Sequence, residues 1–462
     1  MVESLGSNGE GIVHIGETVY FAPFTVVGEK IKFKALKVKN RIGYAKALEI
    51  LTPADERVRP RCSVFTKCGG CQIQHLRYNA QLKLKSKTVQ DALRKIAGIE
   101  VNVPLTIKSD NQFEYRNKLQ IPVGIDKSGR NVIGFYAERS HRIVPVTVCP
   151  IHPDWAKDTI SVFSEYMEKY GVRGYDEETR RGILRHIVVR EVDGNFIVTA
   201  VTATDSLPYA DKLTALLGKK FKSFSLWQNV NAGEGNGVFG ETFRLLHGKG
   251  KYGACECGIR FEVGPNTFIQ INRSVCRKLY ERIVRFGTES GAEAAIDAYS
   301  GGGLLTAMLA KQIGRAYGIE LVREASECAD ALIAPNKLEG KMFNRCGKVE
   351  DVLPELLNHV DADKTFLTVD PPRKGVDRGT LKAIAASGIR HVAMVSCNPA
   401  TLARDVGILT GSLFETEGGE LKKNPAYTQS GLEGCYKLVS VQPFDMFPQT
   451  KHVETLVCLS KN

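Results

Sequence analysis

Ile296-Asp297-Ala298-Tyr299-Ser300-Gly301-Gly302-Gly303 joins an apolar strand candidate, Ala294-Ala295-Ile296, to a helical stretch from Leu304 to Ile313. A glycine-rich turn between strand and helix lets the backbone approach a ligand closely. The next strand candidate, Ala316-Tyr317-Gly318-Ile319, runs into Glu320. An acid about 20 positions beyond such a turn can bind ribose hydroxyls. The turn does not spell the G-x-G-x-x-G dinucleotide fingerprint, and it lacks the lysine of a phosphate-binding P-loop. A nucleoside cofactor without pyrophosphate fits it better than a dinucleotide does, and S-adenosylmethionine is such a cofactor.

The alternation continues downstream. Phe366-Leu367-Thr368-Val369 and His391-Val392-Ala393-Met394-Val395 are further buried-strand candidates, separated by helical stretches. The pattern predicts a C-terminal α/β Rossmann-like domain over residues 266–462, with a mostly parallel sheet between helices. Residues 58–265 read as a central α+β domain, with strands such as Ile183 to Val192 and Asn195 to Val201. Within it, residues 79–97 form an amphipathic helix. Leu82, Val89, Leu93 and Ile96 give it an apolar face that can pack on the C-terminal domain, and Lys83, Lys85 and Lys87 a polar one. Residues 1–57 hold short apolar runs punctuated by glycine and predict a small OB-like β-barrel. There, Lys30, Lys32 and Lys34 share one side of a strand, able to follow a phosphate backbone or simply to protect an edge. A chain of 462 residues is too long for one core, so two or three domains are expected.

Two strand ends carry the most specific strings. Val369-Asp370-Pro371-Pro372-Arg373-Lys374-Gly375 closes one strand, and Val395-Ser396-Cys397-Asn398-Pro399-Ala400-Thr401 the next. His452-Val453-Glu454-Thr455 stands near the C-terminus, and Asn266-Thr267-Phe268-Ile269-Gln270-Ile271-Asn272 lies upstream. Together these motifs closely resemble the RNA uracil-C5-methyltransferase family of the TrmA/RumA type, and the likeness extends over nearly the whole chain. The resemblance implies that Gln270, Tyr299, Glu320 and Asp370 bind the methyl donor, that Cys397 is the nucleophile and that Glu454 is the proton acceptor. It also implies a TRAM-like RNA-binding module in residues 1–57, and it favours ribosomal RNA, above all 23S, over transfer RNA as partner. Gly302 and Leu304 depart from residues common among related members.

The chemistry accounts for these residue types. Carbon 5 of uracil is a poor nucleophile until a thiolate adds to carbon 6 and turns the ring into an enolate. A base must then remove the carbon-5 proton, so one cysteine and one carboxylate are needed at the same base. A free cysteine is usually a small buried hydrophobe. The setting of Cys397 between Ser396 and Asn398-Pro399, after a strand end, points instead to a reactive position. Glu454 without the resemblance would read as a solvated charge. Arg373 could hold phosphate or orient the base, or lie free on the surface.

Cys62, Cys68 and Cys71 are spaced C-x5-C-x2-C, with Gly69 and Gly70 between the last two, and Cys149 follows later. Four thiolates suit a 4Fe-4S cluster or zinc. The resemblance favours 4Fe-4S, in a structural or RNA-positioning role. The other cysteines, Cys255, Cys257, Cys276, Cys328, Cys346, Cys435 and Cys458, read as packing residues.

Lys and Arg number 63 against 51 Asp and Glu, a formal charge of +12 that suits a polyanionic partner such as RNA. Met1 to Gly6 lacks the basic start of a signal peptide, and no stretch approaches the roughly 20 apolar residues of a membrane span. A cytoplasmic protein with reduced thiols is expected, with no membrane association and no obligate protein partner. Two other classes compete: an RNA-binding iron–sulfur protein without methyltransferase activity, and an iron–sulfur redox enzyme. Intact Cys397, Glu454 and Asp370 argue against the first. Methyl transfer without an external reductant would exclude the second.

Overall fold

In a computed structural model, described over residues 1–235, 237–428 and 431–461, five strands open the chain. They are β1 (Ser4–Leu5), β2 (Gly11–Ile15), β3 (Thr18–Ala22), β4 (Lys30–Lys39) and β5 (Ile42–Thr52), in the order β1-β2-β3-β5-β4. Asn40 and Arg41, with φ of 51° and 63°, make the tight left-handed turn that joins β4 to β5. With β1 only two residues long, the ladder does not close into a full ring among the described residues. Its ends meet at Val2, which donates to Glu29 O (2.9 Å) and accepts from Gly28 N (2.8 Å). Lys30, Lys32 and Lys34 alternate with half-buried Ile31 and Phe33 and are exposed.

A loop rich in cysteine leads into α1 (Tyr78–Ala92), whose last turn widens to a π-helical one over Leu93–Ala97 and stops at Gly98, with φ of 71°. Val89, Leu93 and Ala97 are buried in the same core as Leu367, Leu402 and Val406 of the C-terminal region. Lys85 does not lie on a polar face. It is buried, ion-paired with buried Asp445, and donates to Phe447 O at 3.0 Å. The helix is thereby pinned to the segment that precedes Glu454.

The central sheet comprises β6 (Lys118–Ile125), β7 (Asn131–Tyr136), β8 (Ile143–Pro145), β9 (Leu184–Val192), β10 (Asn195–Thr202), β11 (Phe224–Val230) and β12 (Thr242–His247), ordered β12-β11-β10-β9-β6-β7-β8. Helices α2 (Asp154–Lys169) and α3 (Ala210–Gly218) cover one face, where Leu119, Ile121, Ile187 and Val189 meet Phe163, Met167 and Leu213. A hairpin of β13 (Tyr252–Glu256) and β14 (Ile259–Val263) follows.

The C-terminal unit runs α4 (Arg273–Glu289), β15 (Ala294–Ala298), α5 (Leu304–Gln312), β16 (Arg315–Glu320), α6 (Arg323–Asp330), β17 (Met342–Cys346), α7 (Val349–Leu357), β18 (Thr365–Val369), α8 (Arg378–Ala386), β19 (His391–Ser396) and α9 (Pro399–Leu409). A small hairpin, β20 (Leu413–Glu415) and β21 (Leu421–Lys423), precedes β22 (Lys437–Phe444) and β23 (Glu454–Ser460). The sheet order is β17-β16-β15-β18-β19-β23-β22, with β15 to β19 parallel and β23 antiparallel to β19. All five residues of β18 are buried, as a parallel strand covered on both faces requires. Strand order reverses direction between β15 and β18, which opens a crevice at their carboxyl ends. Among the described residues no helix is long and apolar enough to cross a membrane.

Candidate active site

The crevice is built from the turn after β15. Tyr299 takes a left-handed φ of 67°, a conformation a non-glycine residue holds only when its surroundings enforce it. Gly303, with φ of 79°, packs so tightly that an added Cβ would lie 2.6 Å from Ala329 Cβ. That contact explains the glycine. Gln270, Tyr299, Gly301, Gly302 and Asp370 line one cavity there, together with Phe268, Tyr280 and Cys276. Asn117 of the central domain donates to Gln270 O (2.9 Å), fixing the segment that carries the glutamine.

Glu320 ends β16 beside this turn. Its carboxylate accepts from Gly301 N (2.9 Å) and Val322 N (2.7 Å), so it shapes the loop as well as facing it. Asp297, not singled out from the sequence, is buried within β15 and accepts from the Thr306 hydroxyl at 2.6 Å. Burial, with Asp370 and Glu320 nearby, pushes its carboxyl up to about 7. An acid inside the apolar run Ala294-Ala295-Ile296-Asp297-Ala298 was the available signal.

Cys397 follows β19 in a turn made by its neighbours. Asn398 N donates to Ser396 Oγ (3.1 Å), and Asn398 Oδ1 caps α9 by accepting from Ala400 N (3.1 Å). Asn398 Nδ2 also donates to Arg373 O (3.1 Å), tying this turn to the Asp370–Gly375 loop. That loop is stapled from beneath, where Val376 N donates to buried Asp405 (2.9 Å), and a Cβ on Gly375 would strike Asp405 Oδ2 at 2.6 Å.

Glu454 begins β23 with 7% exposure, next to Thr455, which pairs with Ser396. Burial first, and then the Asp370 charge, pushes its carboxyl up to about 8, against the pull of Arg373. Asp370 is raised to about 6 by burial. Burial also raises the Cys397 thiol, Glu454 and Asp370 add to the rise, and Arg373 opposes it. Cys397, Arg373 and His452 line a groove of about 720 Å³ that continues to Asn8 and Phe21 of the N-terminal unit, to Lys87 of α1 and to Arg94 of its π-helical turn.

Over residues 255–413 the chain matches the tRNA (Uracil-5-)-methyltransferase family. An uncharacterized RNA methyltransferase of Clostridium tetani is 35% identical to it over 99% of this chain and 95% of its own length. One from Listeria monocytogenes is 36% identical, covering 100% of this chain and 97% of that protein. The chain belongs to the RNA uracil-5-methyltransferase family. Its fold is that of Pyrococcus abyssi tRNA (uracil-54, C5)-methyltransferase, solved in complex with S-adenosyl-L-homocysteine, with a TM-score of 0.75 at 23% identity over 99% of both chains.

In this methyltransferase Cys62, Cys68, Cys71 and Cys149 are free thiols lining a single cavity of about 70 Å³. Among the described residues no group of three or more His, Cys, Asp or Glu side chains is placed to hold a metal ion. Burial pushes the Cys71 thiol up to about 11 and the Cys149 thiol to about 12. Arg116 lines the same cavity, and its buried Nε has no partner among the described residues. Of the cysteines read as packing residues, Cys276 and Cys458 are buried, whereas Cys255 and Cys346 are exposed.

Proposed function

We propose that this methyltransferase transfers the methyl group of S-adenosylmethionine to carbon 5 of a uracil in RNA, with 23S ribosomal RNA as substrate, in the cytoplasm. One observation carries the reading: a thiol, two raised carboxyls and a guanidinium converge at the carboxyl ends of β18 and β19, where the glycine turn also opens. Gln270, Tyr299, Glu320 and Asp370 would hold the donor, which supplies an electrophilic methyl when bound.

Cys397 adds as thiolate to carbon 6, with Arg373 favouring the charged sulfur. The ring electrons move to the carbonyl oxygen, and carbon 5 then takes the methyl as its bond to the donor sulfur breaks, leaving S-adenosyl-L-homocysteine. Glu454, ionised, accepts the carbon-5 proton. The carbon 6–sulfur bond breaks, the ring double bond re-forms and Cys397 is released. The low-dielectric setting that raises Glu454 makes it a stronger base than a solvated carboxylate.

The four cysteines line one cavity and would supply the four thiolates of a 4Fe-4S cluster. Gly69 lets the cysteine loop lie against the segment that follows β7, where a Cβ would meet Glu138 N at 2.9 Å. The buried Arg116 suits the negative charge of cluster and thiolates. Zinc would also accept four thiolates, and it is the resemblance to the family that favours the cluster. When bound, the cluster would cross-link residues 62–71 to Cys149 and stand apart from the reacting atoms.

Transfer RNA is the second reading. The archaeal enzyme named for uracil-54 of transfer RNA shares this fold over the whole chain. An N-terminal module and a cysteine cluster, which simpler transfer-RNA members often lack, favour ribosomal RNA. Mass mapping of methylated uridines in RNA from a deletion strain decides. A 23S site that loses its methyl supports the first reading, and a transfer-RNA site the second. Unchanged methylation in both would overturn the function.

A further inference from the structure

The face of the central sheet turned away from α2 and α3 is unlike an ordinary solvated face. Lys118 of β6 lies directly opposite Arg190 of β9, and Gln120 and His186 lie on the same face by the same register. Ile197, Thr199 and Val201 of β10 continue it beyond Arg190 and His186. None of these positions is acidic.

Arg190 is only 4% exposed, and among the described residues its buried Nε and Nη1 have no hydrogen-bond partner. His186 Nδ1 on the same face likewise has no partner among the described residues. A buried guanidinium is ordinarily paired with a carboxylate, yet its cross-strand neighbour is a second cation. Burial and Arg190 hold the Lys118 ammonium down to about 8, and burial lowers Arg190 to about 10. Both groups therefore sit where an anion would be strongly favoured. Glu191, next in sequence, is turned to Gly194 N (2.7 Å), and Glu177, in the groove beyond Gln120, is engaged by His141 (2.7 Å).

The pair is placed beside the active site. Asn117, one residue before Lys118, donates through its backbone to Ile271 O (3.1 Å) and through its side chain to Gln270 O (2.9 Å). On the outer side, Gln120 and His186 line a groove of about 370 Å³ that leads away along the sheet. Lys118 is half-buried and accessible.

We propose that Lys118 and Arg190 form a phosphate-binding site for the RNA strand, close to the target nucleotide, with the groove past Gln120 and His186 as the path of the chain. The inference rests on the reading of the protein as acting on RNA. A planar guanidinium fork and an ammonium are the usual pair of groups for a phosphodiester.

The test is a salt titration of binding by the full chain, using a labelled single-stranded, uridine-containing oligoribonucleotide, with S-adenosyl-L-homocysteine binding measured in parallel. Lys118→Gln, at a half-buried position, should weaken RNA binding about tenfold at low salt and reduce the log–log salt slope by about 0.7. Arg190→Lys keeps the charge but loses the fork, and should weaken binding with little change of slope. S-adenosyl-L-homocysteine affinity should not move in either variant. An unchanged RNA affinity and slope in Lys118→Gln would overturn the site. So would a parallel loss of S-adenosyl-L-homocysteine binding, which would assign the cations to a carboxylate of the donor. Should the unaltered protein methylate no uracil while the slope change holds, the functional reading fails and the phosphate site stands. An unaltered slope with methylation intact does the reverse.

Discussion

Glu454 and Cys397 lie at corresponding places on neighbouring strands that run in opposite directions: Ser396 pairs with Thr455, so the residue after one meets the residue before the other. This antiparallel insertion brings a residue far along the chain to the carboxyl edge of the parallel strands. The Glu454 charge also adds to the burial that raises the Cys397 thiol. Both must ionise for the proposed chemistry. The rate of methyl transfer at low substrate should therefore climb as pH rises through about 8, where the Glu454 carboxyl titrates. Initial rates between pH about 6 and about 9 check this; a flat profile would contradict it.

The same shift has a consequence for stability. Folding raises the Glu454 carboxyl from 4.5 to about 8, so between those values the folded chain binds more protons than the unfolded one. Stability from this group is full below the lower value and is lost as pH climbs through the upper. Glu454→Gln removes the penalty of the buried charge. Its Tm should match that of the unaltered protein near pH 4.5 and exceed it by a few degrees above pH 8. A gap that narrows with rising pH would show that the carboxyl is not raised.

The parallel strands were legible because burial on both faces writes them as apolar runs: Phe366 to Val369 and His391 to Val395 fall within β18 and β19. The donor loop was legible through its glycines. What stayed hidden depends on partners distant in the chain. Lys85 reads as one lysine of a polar stripe, and only its pairing with Asp445 puts it in the core. Gly375 gives no hint of Asp405 beneath it. Lys118 and Arg190 become a pair only through strand register. Arg116, two residues before Lys118, joins the cysteines by the fold alone.

The cysteine cavity makes an elemental prediction. Protein purified without oxygen should carry about four irons and about four acid-labile sulfides per chain. Replacing Cys62 or Cys149 by Ser should remove most of the iron and its visible absorbance. Stoichiometric zinc without sulfide would refute the cluster. Iron retained in both variants would refute these ligands.

The covalent step gives the sharpest outcome. The target uracil must leave its stack before Cys397 and the donor can reach it. In RNA containing 5-fluorouracil, fluorine replaces the proton that Glu454 should take. Addition and methyl transfer can proceed, but elimination cannot, so a complex that survives denaturation should accumulate with Cys397 bonded to carbon 6. Cys397→Ala should form no such complex and should lose turnover by about a thousandfold or more, because among the described residues no second thiol lines the groove with it. Glu454→Gln should still add and transfer the methyl, yet release product about a hundredfold more slowly. Ordinary RNA would then also give a trapped complex, visible as a slowed band on a denaturing gel. Peptide mass mapping identifies the bonded cysteine. An adduct at Cys276 or Cys328, both of which line the donor cavity, or full activity in Cys397→Ala, would place the nucleophile elsewhere.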